Sequence, residues 1–183
     1  MNNTPIYFDN AATTPLYKEV VEKMHETLQD CYGNPSSIHS AGRKAKGLVE
    51  ESRVRMAKHL GCLPSEIYFT SGGTESDNIA LRKAAHCLGV KNIITSPVEH
   101  HAVLHTAEEI VKQNNEIKLH LLSVDSKGRI DLKELETLLK NNNNCIVSLM
   151  HANNELGNLN DLDKIGTLCK DNNAYFHTDA VQT

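Results

Sequence analysis

The chain has 183 residues, with 19 Lys and Arg against 23 Asp and Glu, for a net charge of −4; it carries 10 His, 5 Cys and no Trp. This balance excludes a nucleic-acid or polybasic membrane surface as the main partner, because binding phosphate backbones needs a concentrated excess of cations. No run nears the roughly 18 apolar residues that span a bilayer, and the first ten residues lack the basic-then-apolar pattern of a secretory signal, so a cytoplasmic protein that meets neither membrane nor nucleic acid is expected.

Hydrophobic residues, at 39%, suffice for a core. Cys31, Cys62, Cys87, Cys145 and Cys169 are odd in number, widely spaced and form no C-x-x-C pair. They suggest neither a disulfide framework nor a zinc site and read as buried or incidental thiols.

In chain order, Ile6 to Phe8 is a short extended segment. Thr14 and Pro15 offer an N-cap and a first-turn proline for a helix over about 16–30, with Val20, Val21, Met24 and Leu28 at helical spacing. G-N-P-S-S-I-H, residues 33–39, interrupts with turn formers. A long helical pattern then runs through Ala45, Leu48, Val49, Met56 and Leu60. Its basic residues, among them Arg43, Lys44 and Arg53, are diluted by Glu50 and Glu51 and read as a solvated face.

Strands are expected at Ile67 to Thr70, Asn92 to Thr95, Lys118 to Val124, Cys145 to Met150 and Ala174 to Thr178. Helices fall between them, one through Val103, Leu104, Ala107, Ile110 and Val111, and one opened by the capping-box pattern D-L-K-E at Asp131 to Glu134. This alternation predicts an α/β fold with a mainly parallel sheet flanked by helices. The asparagine run 141–144 reads as a connecting loop, and no domain boundary is read inside the chain.

In open α/β sheets ligands bind at the carboxyl ends of strands, and four polar clusters fall there. After the first strand comes T-S-G-G-T-E-S-D-N, residues 70–78. Its glycines permit a tight turn, and the Thr74 hydroxyl with the first N–H groups of the next helix suits a phosphate, although a purely structural turn is the competing reading. After the second comes P-V-E-H-H-A-V-L-H, where His100 stands at the strand-to-helix turn and can stack on a planar ligand and move protons. His101, His105 and Glu109, four apart on one helical face, are a weaker alternative as metal ligands. No metal is expected.

After the strand ending at Met150 comes H-A-N-N-E-L-G, whose amides are either a polar turn or neutral donors to a ligand oxygen. F-H-T-D-A-V-Q closes the last strand, with Asp179 and Gln182 able to point at one ring. His177, on the same side as Asp179 by strand alternation, either orients that carboxylate or packs. One ligand accounts for all four clusters: pyridoxal 5'-phosphate, which needs an anion cradle, an imidazole face, a carboxylate on the pyridine nitrogen and a donor to the ring hydroxyl.

The segments D-N-A-A-T-T (9–14), G-N-P-S-S-I-H (33–39), T-S-G-G-T-E-S-D-N (70–78), E-H-H-A-V-L (99–104), N-N-E-L-G (153–157) and H-T-D-A-V-Q (177–182) resemble those of NifS/IscS-type cysteine desulfurases. These belong to the class V aminotransferase group of fold-type I pyridoxal-phosphate enzymes. The resemblance implies that Gly73 and Thr74 bind the phosphate and that His100 stacks on the ring and assists proton transfer. It further implies that Asn154 and Gln182 contact the ring oxygen or substrate side, and that Asp179 pairs with the ring nitrogen.

The implied reaction takes sulfur from L-cysteine, leaving L-alanine and an enzyme persulfide. The implied partners are a second copy of the chain and a sulfur-acceptor or scaffold protein for iron–sulfur cluster or thiolated-cofactor assembly. The family's S-x-H-K lysine and its persulfide cysteine have no counterpart in residues 1–183. The expectation is therefore an N-terminal segment with part of the cofactor-binding large domain, truncated before the Schiff-base lysine, inactive alone and unable to form the internal aldimine at the family position. A selenocysteine lyase or other class V lyase is the alternative enzyme, and a non-catalytic remnant or dimerisation module the alternative from another class.

Overall fold

The computed structural model describes residues 5–183, so the first four residues of the stretch read for a signal lie outside it. The chain divides into two compact units, Met1–Phe69 and Thr70–Thr183.

In the first unit, residues 6–8 form no strand, and helix α1 spans Lys18–Asp30. Its N-cap is Tyr17 rather than Thr14. The reason is a separate turn upstream, in which the Ala12 and Thr13 N–H groups both go to the Asp9 carbonyl, so helical bonding starts only at the Tyr17 carbonyl. After the turn in G-N-P-S-S-I-H, where Asn34 Oδ1 accepts the Ser36 N–H, α2 runs over Ser40–Leu60. Gly42 is required at its start, since a Cβ there would stand 2.3 Å from the Ser37 carbonyl oxygen. Gly61, at φ +67°, ends the helix in the left-handed conformation that glycine adopts without strain.

One expectation fails here. Ile67 to Thr70 is not a strand: Arg53 Nη1 donates to the Ile67 carbonyl and its guanidinium lies 4.9 Å over the Phe69 ring, so α2 rather than a neighbouring strand takes up these groups. The basic face of α2 is exposed as read at Arg43, Lys44, Lys46, Arg55 and Lys58, and Arg53 alone of these residues is partly buried. The exposed Arg43 and Lys44 donate to the Ile38 and Asp30 carbonyls.

The second unit alternates α3 (Gly73–Cys87), β1 (Asn92–Thr95), α4 (His101–Gln113), β2 (Lys118–Leu121), α5 (Leu132–Asn141), β3 (Cys145–Ser148), α6 (Leu162–Asp171) and β4 (Tyr175–His177). The four strands pair in parallel in the order β2-β1-β3-β4. The fold is therefore α/β with a parallel sheet flanked by helices. Strand alternation builds two cores. Ile93 and Ile146 face one side and pack with Leu81 of α3 and Val103 of α4, while Ile94 and Val147 face the other and pack with Leu135 of α5 and Ile165 of α6.

β1 has the expected span, whereas β2, β3 and β4 are shorter than the runs that announce them, as in β2, where flanking groups find partners off the ladder. The Ser123 N–H goes to Glu134, and Val124 bridges Ile130 in a hairpin. This corrects the capping-box reading of α5: Asp131 caps the N–H groups of Lys133 and Glu134, but the Glu134 carboxylate turns to Ser123 instead of completing the box. Asn141 ends α5, so only 142–144 connect it to β3. No helix among the described residues is long and apolar enough to cross a membrane.

Candidate active site

The strand order reverses direction between β1 and β3, because the chain leaves β1 for β2 on one side and returns to β3 on the other. A crevice outside the carboxyl ends of two such strands is where open α/β sheets bind ligands. Here it is a cavity of about 250 Å³ lined by the turn after β1 and the loop after β3, including His100, His101, Asn153, Asn154 and Leu156.

His100 is the N-cap of α4, and its Nδ1 accepts the Ala102 N–H at 3.1 Å. In the neutral ring the proton must then sit on Nε2, which fixes the tautomer. Asn154 rides on a turn built by its neighbour: Asn153 Oδ1 accepts the N–H groups of Glu155 and Leu156, and Asn153 Nδ2 donates to the Val98 carbonyl at 2.7 Å. The structure thus brings His100 and Asn154 to one cavity through a side chain, Asn153, whose segment the sequence left open between a polar turn and amide donors to a ligand.

Gly73 and Thr74 open α3. The first intrahelical bond runs from the Ser76 N–H to the Gly72 carbonyl, so the N–H groups of Gly73, Thr74 and Glu75 precede it, and the Thr74 hydroxyl is exposed. Glu75 accepts the N–H and hydroxyl of Ser71, which hold its carboxyl below the usual range.

The segment after β4 meets this helix end, since a Cβ on Gly73 would lie 2.9 Å from Val181 Cγ2. In the same segment Asp179 Oδ1 accepts the Val181 N–H at 3.0 Å, and the Asp179 carbonyl accepts the His151 N–H at 2.9 Å. His151 Nδ1 also lies 2.9 Å from the Thr183 hydroxyl. Gln182 stands exposed on this segment. The segments after β1, β3 and β4 and the start of α3 are therefore tied successively together, and they carry all six residues singled out in the sequence.

His177 does not serve Asp179. Its Nδ1 is 2.8 Å from the Ser148 hydroxyl and its Nε2 is 3.5 Å from Asp77 Oδ1, so its ring is engaged by β3 and α3. Asp77 is buried at 4% exposure, and its Oδ2 has no hydrogen-bond partner among the described residues.

Glu99 is the other buried acid that sequence reasoning passed over, although it stands beside His100 in the quoted motif. Burial pushes its carboxyl up to about 7 against the opposing pull of the Met150 N–H and the Ser96 hydroxyl, and the carboxylates of Asp179 and Asp77 add to the rise.

The His101 and His105 rings stack at 4.6 Å, and Glu109 accepts from Gln113. Among the described residues no group of three or more His, Cys, Asp or Glu side chains is arranged to hold a metal. Cys145 and Cys169 are core residues, and burial pushes the Cys169 thiol up to about 12, so it stays protonated and unreactive near neutral pH.

The family model for class-V aminotransferases matches residues 6–183. A cysteine desulfurase IscS from Dictyoglomus turgidum is 46% identical over 180 residues, which is 97% of this chain and 45% of that protein. Among solved structures, one described as a NifS-like protein superposes with a TM-score of 0.90 at 39% identity, covering 98% of this chain and 50% of its own. SspA, determined in complex with cysteine, superposes at 0.88 with 34% identity, covering 97% and 51%. The chain spans about half the length of the curated relatives it matches.

Proposed function

Given that the chain belongs to the class-V aminotransferase family, we propose that it supplies the noncovalent side of a pyridoxal-phosphate site in a cysteine desulfurase. The observation that carries this reading is the crevice at the β1/β3 reversal, which holds His100 and Asn154 on one cavity. In domain terms, residues 1–183 are the N-terminal segment and part of the cofactor-binding large domain.

The donor set fits the cofactor. A phosphate suits the first N–H groups of α3 with the Thr74 hydroxyl, at the positive end of the helix dipole. Asp179, its carboxylate orientation fixed by the Val181 N–H, is the group for a protonated ring nitrogen. Asn154 and Gln182 supply amide donors for the ring hydroxyl or the substrate. When bound, pyridoxal phosphate supplies a protonated pyridine ring that draws electrons from the substrate's α-carbon.

His100 lays its imidazole against the ring, and the proton it can give or share is on Nε2, since Nδ1 is occupied by the Ala102 N–H. The substrate is L-cysteine and the products are L-alanine and transferable sulfur, a reading supported by the desulfurase relatives and by the cysteine held in SspA. A second copy of the chain and a sulfur acceptor for iron–sulfur cluster assembly complete the proposal. Five free thiols fit a reducing compartment, the cytoplasm.

The test is to incubate the full-length polypeptide that carries these residues with pyridoxal phosphate, L-cysteine and an excess of a dithiol reductant, which reduces the enzyme persulfide and releases its outer sulfur as sulfide, and to measure alanine and sulfide. Stoichiometric alanine and sulfide are expected. Release of neither from cysteine, with turnover only of selenocysteine, would replace this reading by a selenocysteine lyase.

A further inference from the structure

The chemistry above leaves Glu99 without a task, although it is 7% exposed and one residue from His100. Both its carboxyl oxygens lie 3.0 Å from the Met150 nitrogen and share that N–H, and Oε1 also receives the Ser96 hydroxyl at 3.1 Å. Met150 begins the loop that leads through Asn153 to Asn154. The Asn153 to Val98 bond is a second tie between the same two segments.

If packing were the only requirement, an apolar side chain would fill the site at lower cost than an acid that must be desolvated. An apolar side chain, however, would leave the Met150 N–H buried without a partner. The acid is also unusual in its company: the carboxylates of Asp77 on α3 and Asp179 after β4 bear on it, while His177 is turned toward Ser148 and Asp77.

We infer that Glu99 is the positioning residue of this crevice: its carboxyl group, by holding the Met150 N–H, sets how far apart His100 and Asn154 stand, and so governs affinity for a planar phosphorylated ring between them. The identity of the ring rests on the proposed function, whereas the clamp does not.

The group titrates near 7 in these surroundings. A proton on either oxygen makes that oxygen a donor and leaves only the other to hold the Met150 N–H, so the clamp loosens as pH falls through neutrality.

The experiment uses the full-length polypeptide, following the Met150 amide proton by NMR against pH without cofactor and titrating pyridoxal phosphate by absorbance. In the parent, the Met150 resonance moves in one step near pH 7 and cofactor affinity falls on the acid side of it. Glu99→Gln, which like the protonated acid offers Met150 a single acceptor, binds at every pH with the parent's weaker acid-side affinity, and both pH dependences disappear. Glu99→Ala weakens binding by about tenfold, the loss of one buried hydrogen bond.

Unchanged affinity in Glu99→Ala, or a Met150 resonance that still titrates in Glu99→Gln, would overturn the inference. Should the alanine variant fail to fold, the glutamine variant decides alone. A parent that shows the Met150 step yet binds no pyridoxal phosphate would remove the proposed function and leave the clamp standing.

Discussion

His100 does two things at one position, and they can be separated chemically. As N-cap it gives Nδ1 to the Ala102 N–H, and as a site residue it offers Nε2 to the crevice. Asparagine is a strong N-cap but has no imidazole, so His100→Asn retains the first role and loses the second. We expect His100→Asn to match the parent's stability within about 0.5 kcal/mol and His100→Ala to lose about 1 kcal/mol, measured by urea unfolding. Both should slow turnover by about 100-fold or more in the full-length enzyme, the usual worth of a positioned acid–base group. An asparagine variant with near-parental turnover would remove His100 from the chemistry. The motif made His100 visible in the sequence, because a histidine at a strand-to-helix turn is conspicuous. Its neighbour Glu99 was not, because a glutamate before a helix looks like a surface residue until the fold buries it.

At the scale of elements, the loop bearing Asn154 is propped from outside the crevice by the hairpin 124–130. Asn158 Nδ2 donates to the Lys127 carbonyl at 2.5 Å, and Gly128 lies beneath Leu156. Gly128 has φ +73°, and a Cβ there would be 2.4 Å from Leu156 Cδ1. Leu156 is half exposed and can swing aside, but the backbone strain cannot be relieved, so Gly128→Ala should cost about 1–2 kcal/mol. Asparagine tolerates this conformation better than alanine, so Gly128→Asn should be the milder substitution in urea unfolding. Equal losses in the two variants would place the cost in the Leu156 contact.

The elements themselves were unequally legible. The span of β1 could be read directly, since the three β-branched residues Ile93, Ile94 and Thr95 follow Asn92 between turns, and all four are buried. The expected strand at Ile67 to Thr70 failed although its composition is as good, because a strand is defined by a partner and Arg53 takes up its groups instead. The Glu134 half of the capping box failed for a similar reason: a distant donor, the Ser123 N–H, competed for the same carboxylate.

For the whole molecule, the buried carboxyl of Glu99 links folding to pH with a definite sign. Its folded-state value lies above the ordinary 4.5, at about 7, so between these values the folded protein binds more protons than the unfolded chain. Stability from this group is fully present below 4.5 and is lost as pH rises through 7, and the displacement corresponds to about 3 kcal/mol at most. Asp125 has the opposite sign. The backbone N–H and side chain of Arg129 hold its carboxyl down to about 2, so its contribution is lost only as pH falls through that value. Comparing Glu99→Gln with its parent at each pH cancels Asp125 and the other groups that do not couple to Glu99, leaving Glu99 with its neighbours Asp77 and Asp179. The glutamine still accepts the Met150 N–H but carries no charge to desolvate. It should match the parent's urea midpoint near pH 5 and exceed the parent's stability at pH 8 by about 1 kcal/mol or more. A glutamine variant less stable than the parent at pH 8 would mean that the ionised clamp returns more than its desolvation costs. The expected result instead makes Glu99 a site where the fold gives up stability at neutral pH to hold a ligand crevice in register, as sites built for binding commonly do.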